Sequence, residues 1–306
     1  AGPVLGGAIN SDGSTTLVFA STRGNLDGRA YDYAGPQRTP ADPSRPNANL
    51  YADEVDPAAP GKRRVRQLTF LLNTERAPAF MADGRVIFTV EKRMPGFSQT
   101  SLRRINLDGG DYHPLYGQRG SVGYYEVSQG VHLADKDFAA IFADHGVPAA
   151  GGALGVFSRS IGVDLASRQP GDYPADPSVV DPASPRALDP AFFLHSLRLP
   201  DPSSTGRATG TTAGAYTSPA PLPDGRVLVS WGAALAGARG APDYDVFAID
   251  PGTGARTRVL GAAGTAEIEA IALYARPPRT VYRSQASEPN AYRVDDSVRT
   301  ADVLMN

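Results

Sequence analysis

The chain of 306 residues sets 30 Lys and Arg against 32 Asp and Glu, and a net charge of −2 predicts no general attraction to nucleic acid or to anionic lipid. It contains no cysteine, which excludes disulfides, thiolate-held zinc, iron–sulfur clusters, thiol catalysis and covalent CxxCH haem attachment within it. At 41% hydrophobic and 20% charged it is composed like a folded protein, and no stretch reaches the roughly 20 apolar residues of a membrane-spanning helix.

With 33 glycines and 27 prolines scattered throughout, long helices are not expected. The apolar runs are short, β-branched or aromatic, and bounded by turn residues: 16–20 (TLVFA), 85–90 (RVIFTV), 139–143 (AAIFA), 227–231 (VLVSW) and 280–282 (TVY). That is the pattern of strands. Asp-Gly ahead of such a run is a tight-turn signal, because Gly takes positive φ and Asp can hydrogen-bond its own backbone.

In chain order, a first unit over 5–75 has Asp12-Gly13 before TLVFA and then NLYADEVDPAAPGKRRVRQLT. A second, over 76–120, opens on PAFMADGRVIF and continues with SLRRINLDGGDYHPLYG. A third, over 125–205, contains VHLADKDFAAIFADHG and GALGVFSRSIGVDL, and a fourth, over 210–262, repeats the second as PAPLPDGRVLV and DVFAIDPGTGARTRVLG. A fifth, over 266–306, is incomplete. Pro/Ala/Asp-rich insertions at 35–47 and 169–190 account for the uneven spacing. Each unit reads as turn, strand, loop, strand, turn, strand, with a proline-led entry to the Asp-Gly turn and an inner strand after it. Small antiparallel units of this kind cannot bury both faces alone, and radial repetition solves that problem.

These motifs resemble the repeats of TolB-like, WD40-like propellers, most closely in MADGRVIFT, SLRRINLDGGDYHPLYG and RRVRQLTF. The resemblance covers most of 5–296. It implies an all-β fold, a β-propeller of four-stranded antiparallel blades, with 1–306 one domain and a segment of a longer chain holding about five to seven blades. LRRINLDGGDYHPLYGQRG and EAIALYARPPRTVYRS are in addition similar to the propeller region of hydrazine synthase alpha subunit-like proteins. In that family the propeller accompanies haem-carrying segments; the missing CxxCH leaves covalent haem out of what is implied for this chain.

Four histidines are present, His113, His132, His145 and His195. TolB-like propeller lyases acting on pectic oligosaccharides hold manganese with histidines near the central channel, so the resemblance implies a candidate metal set of His145 with His113 and His195. No HxH or HxxxH spacing supports it, and ordinary strand and loop histidines are the plainer reading. Asn106, Asp108 and Asp111 resemble half of a calcium loop, with Asp243 and Asp245 as further carboxylates. The twelfth position is Gly117 and not the closing Glu, so hairpin-turn chemistry explains them as well. Tyr124 and Tyr125, beside Glu126, suit either a partner-binding surface or packing between blades. Neither GxSxG nor GxxxxGK[ST] occurs.

The expectation is a non-catalytic binding or scaffold module of the bacterial cell envelope or exterior, periplasmic or extracellular, with a protein, small-molecule or carbohydrate ligand. Two alternatives stand beside it. One is a metal-assisted carbohydrate lyase or hydrolase with a His-based site near the propeller channel; the other is the propeller module of a larger haem or redox protein. A divalent metal, calcium or manganese, is the cofactor either metal candidate would take. No nucleic-acid partner is expected.

Overall fold

The computed structural model describes residues 5–9, 14–22, 48–56, 58–59, 63–70, 74–94, 97–116, 124–134, 137–144, 147, 151–157, 197–208, 213–233 and 243–274. Among the described residues every regular element is a β-strand, and no helix is long and apolar enough to cross a membrane. The strands form four antiparallel meanders. The first is β1 (Leu5–Ile9), β2 (Thr15–Ser21), β3 (Asn49–Val55) and β4 (Arg63–Gln67). The second is β5 (Glu75–Phe80), β6 (Val86–Met94), β7 (Phe97–Ile105) and β8 (His113–Tyr116). The third is β9 (Glu126–His132), β10 (Phe138–Ala143) and β11 (Ala153–Phe157), with Arg198 bridged to Val156 along its outer edge. The fourth is β12 (Gly214–Pro221), β13 (Val227–Ala233), β14 (Asp245–Ile249) and β15 (Arg256–Leu260). A single parallel bridge, Thr100 to Glu126, joins the second and third into one ladder.

The repeated Asp-Gly segments are hairpin turns. Met81 N–H donates to Arg85 O at 2.8 Å and Gly84 N–H to Met81 O at 3.1 Å; Leu222, Arg226 and Gly225 repeat this at 2.9 and 3.2 Å. Asp83 and Asp224 each accept the N–H two residues on, both at 3.1 Å. Gly84 and Gly225 take φ of 84° and 89°, which a side chain would oppose. The prolines that lead into these turns, Pro78 and Pro219, are inside β5 and β12, so the strand after each turn is the second of its meander. They are tolerated because each sits at a bulge, where the ladder asks for no N–H.

Packing joins each meander to the next. Val18, Leu50 and Ala52 of the first meet Phe80, Val86 and Phe88 of the second. The opposite face of the second, with Ile87 and Leu102, meets Phe138, Phe142 and Phe157 of the third. Ala139, Ile141 and Leu154, on the third's other face, meet Tyr216, Val227, Val229 and Ile249 of the fourth. The middle meanders are thus covered on both faces, which is why Val86-Ile87-Phe88 and AAIFA are apolar at successive positions.

Candidate functional site

The chemistry of this chain gathers at the seams between meanders, and it begins with one repeated irregularity. Ala77, Gln129 and Ser218 have φ of 52°, 55° and 54°. Each lies in the first strand of its meander, where two residues oppose one: Ala77-Pro78 against Phe88, Gln129-Gly130 against Ala140, Ser218-Pro219 against Val229. A bulge takes an N–H out of the ladder and aims it elsewhere. Gln129 N–H donates to Thr89 Oγ1 of the second meander at 2.9 Å, and nearby Val127 N–H donates to Thr100 Oγ1 at 3.0 Å. Gln129 Oε1 in turn accepts Ser218 N–H of the fourth meander at 2.6 Å and the Thr217 hydroxyl at 3.2 Å. Gly130 is held to glycine by contact, since a Cβ there would lie 2.8 Å from Ile87 Cδ1.

The seam between the first and second meanders is built on a buried acid. Glu75 is 0% exposed. Its carboxylate accepts from the Tyr112 hydroxyl at 2.8 Å, from Asn49 Nδ2 at 3.3 Å and from the Thr69 hydroxyl. Burial pushes its pKa up to about 7, against the pull of Thr69, Tyr112, Asn49 and the Arg103 charge. Arg103 also lies over the Tyr112 ring, 4.8 Å from its centroid. At the seam between third and fourth, the Tyr216 hydroxyl donates to Asp201 Oδ2 at 2.7 Å and accepts from Arg256 at 2.9 Å. The Arg256 guanidinium lies 3.8 Å from the centroid of Trp231, whose indole N–H donates to Ser204 Oγ at 3.1 Å. Burial raises the Asp201 pKa, but Ser203, Tyr216 and Arg256 outweigh it and hold the carboxyl below its usual range.

The residues singled out from sequence lie as follows. His145 and His195 fall outside the described residues, and His113 is an exposed residue of β8 opposite Arg104. His132 accepts the Ala82 N–H at 2.9 Å and stacks on Phe138 at 4.7 Å. Among the described residues no group of three or more His, Cys, Asp or Glu could hold a metal. Asn106, Asp108 and Asp111 belong to one turn: Gly109 N–H donates to Asn106 O at 3.0 Å, and Gly110 N–H to Asp108 Oδ1 at 2.8 Å. Asp111 is gripped by Arg85 and Arg104, both at 3.0 Å; burial raises its pKa but the two guanidiniums hold it low. Asp245 pairs with Arg258 at 2.8 Å, and Asp243 accepts Gly264 N–H at 3.1 Å. Tyr124 is buried beneath Arg207, whose guanidinium lies 3.9 Å from the ring centroid, and donates to Thr205 O at 2.9 Å. Tyr125 is half-buried.

Sequence reasoning missed Glu75, Thr89 and Gln129. A signal existed for one of them: Thr89 is a hydroxyl inside an otherwise apolar run, a placement that calls for a buried partner.

The architecture is shared with a solved structure. Hydrazine synthase of Kuenenia stuttgartiensis superimposes with a TM-score of 0.52 at 18% identity, and the match covers 84% of this chain and 29% of that one. At that identity the likeness is one of fold. No protein-family model matches the chain, and no curated protein matches it in sequence.

Proposed function

We propose that the chain is a β-propeller module serving as a non-catalytic binding scaffold in the cell envelope or outside the cell. The observation that carries the reading is the same bulged first strand in three successive meanders, each bonded to the meander before it. First strands joined face to face in this way suit an array stacked around an axis, and the fold likeness to hydrazine synthase supports it. The seam groups Gln129, Glu75, Tyr216 and Arg256 are engaged with other meanders, which suits a rigid platform. Cross-linking with mass spectrometry on the native protein tests the role. The expected result is one reproducible partner protein or carbohydrate; turnover of a substrate by the pure chain without any partner overturns it.

A second reading draws on one observation, the overlap with 29% of the hydrazine synthase chain. On that reading this propeller is a module of a larger redox protein whose haem is carried elsewhere, since the chain has no cysteine. Absorbance at haem wavelengths in the native protein, absent from the isolated chain, is its expected signature.

A further inference from the structure

We infer that residues 267–273 are the first strand of a fifth sheet, seated on the far face of the fourth, with the Tyr244 carbonyl and the Ser230 hydroxyl as its anchor. Glu269 has φ of 60°, and among the described residues the other positive-φ residues outside glycine are the three bulge residues and Asp111 in a turn. Two positions before each bulge residue stand Glu75, Val127, Tyr216 and now Glu267. Glu75 N–H donates to Ala48 O at 2.8 Å, Tyr216 N–H to Gly152 O at 2.7 Å, and Glu267 N–H to Tyr244 O at 2.7 Å. Each acceptor immediately precedes the third strand of the meander before. Four positions after each bulge residue stands an apolar one: Met81, Leu133, Leu222 and Leu273.

The receiving face repeats as well. In the second meander Thr89 pairs with Leu102 and Thr100 with Glu91, and these two hydroxyls take the N–H groups of Gln129 and Val127. In the fourth, Ser230 pairs with Val246 in the place of Thr89. Tyr244, just before Asp245, stands in the place of Thr100. Ser230 and Tyr244 are 1% and 3% exposed, yet among the described residues Ser230 Oγ and Tyr244 OH have no hydrogen-bond partner. Buried hydroxyls in that state want a donor or acceptor, and the amide of Glu269 is the one their register assigns to Ser230.

The strand so placed is open on its other side. Leu273 is 97% exposed and Ile271 65%, whereas Met81, Leu133 and Val131, at the matching positions, are 1%, 4% and 8%. This deepens the propeller reading and rests on the stacking of sheets, not on the scaffold role.

Residue-resolved amide exchange on the full chain tests it, with the observed Thr89–Gln129 bond as reference. The Glu269 amide is expected to be protected, and Ser230→Ala to accelerate its exchange roughly 10-fold or more, as Thr89→Ala should for Gln129. Acceleration at Gln129 without any at Glu269 overturns the fifth strand alone; no acceleration at either overturns the gripping of first strands, and with it the stacked reading.

Discussion

Replacing Glu75 by Gln should remove a pH dependence that the native chain carries across the neutral range. The acid is 0% exposed and its folded pKa is about 7 against 4.5 for the unconstrained group. A carboxyl whose pKa is raised by folding holds its proton more tightly in the folded state. Its stabilising contribution is therefore complete below pH 4.5 and is lost as pH rises through 7. Integrated between pH 5 and pH 8, the linkage comes to about 2–3 kcal/mol of stability lost on the alkaline side. Tyr112, Asn49 and Thr69 already moderate the loss, since all three donate to the ionised form. Urea unfolding at half-unit steps of pH measures the effect, with the slope on urea checked for constancy. Glu75→Gln, which cannot ionise, should show a curve flatter by that amount and converge with the native chain in acid. Superimposable pH profiles for the two proteins would refute the argument that burial dominates at Glu75.

Three further outcomes follow from particular contacts. Gly225→Ala should cost about 1 kcal/mol, the strain of positive φ alone, because nothing lies within 4 Å of the added Cβ. Gly254→Ala should cost clearly more, since its Cβ would strike the Pro200 carbonyl; equal losses in thermal unfolding would discount that contact. Arg256→Lys keeps the charge but loses the flat stacking on Trp231, and should cost about 1 kcal/mol. As Trp231 is the only tryptophan, a shift in emission reports the change locally, and an unchanged spectrum counts against it. Gln129→Asn suits φ of 55° better but is one carbon too short to reach Ser218. A loss of about 1 kcal/mol in chemical unfolding is expected, and a gain would mean that backbone strain outweighs the seam bond.

The strands were legible where one residue pattern served one purpose. Asp83-Gly84 and Asp224-Gly225 announce hairpins because positive φ and a carboxylate two residues before a free N–H admit few other uses. The runs at β6, β10 and β13 were equally plain, being apolar on both faces. The first strands β5, β9 and β12 were not. ERAPAF, EVSQGVH and GAYTSPAP hold prolines, glycines and polar residues that ordinarily break strands, and only their bulges reconcile them with a ladder. The seams were hidden for a related reason. Glu75 meets Asn49 and Thr69, and Gln129 meets Ser218, across sequence gaps that no local spacing rule spans.

That division of labour bears on how the chain chooses its own arrangement. Apolar faces such as Val86-Phe88-Val90 and Ala139-Ile141 would fit many partner sheets, because burial has no direction. Each polar seam, by contrast, fits one neighbour. A carboxylate wanting three donors stands between the first and second meanders, two threonine hydroxyls between the second and third, and a glutamine with an Asp–Tyr–Arg set between the third and fourth. Exchange two meanders and Glu75 is buried without Asn49 and Thr69, while Ser218 N–H is buried without Gln129. Each such orphan costs roughly 1–3 kcal/mol, so a shuffled order forfeits much of the 5–15 kcal/mol that a folded domain has to spare. Similar repeats laid end to end need that discrimination, since their hydrophobic surfaces alone cannot tell one copy from another.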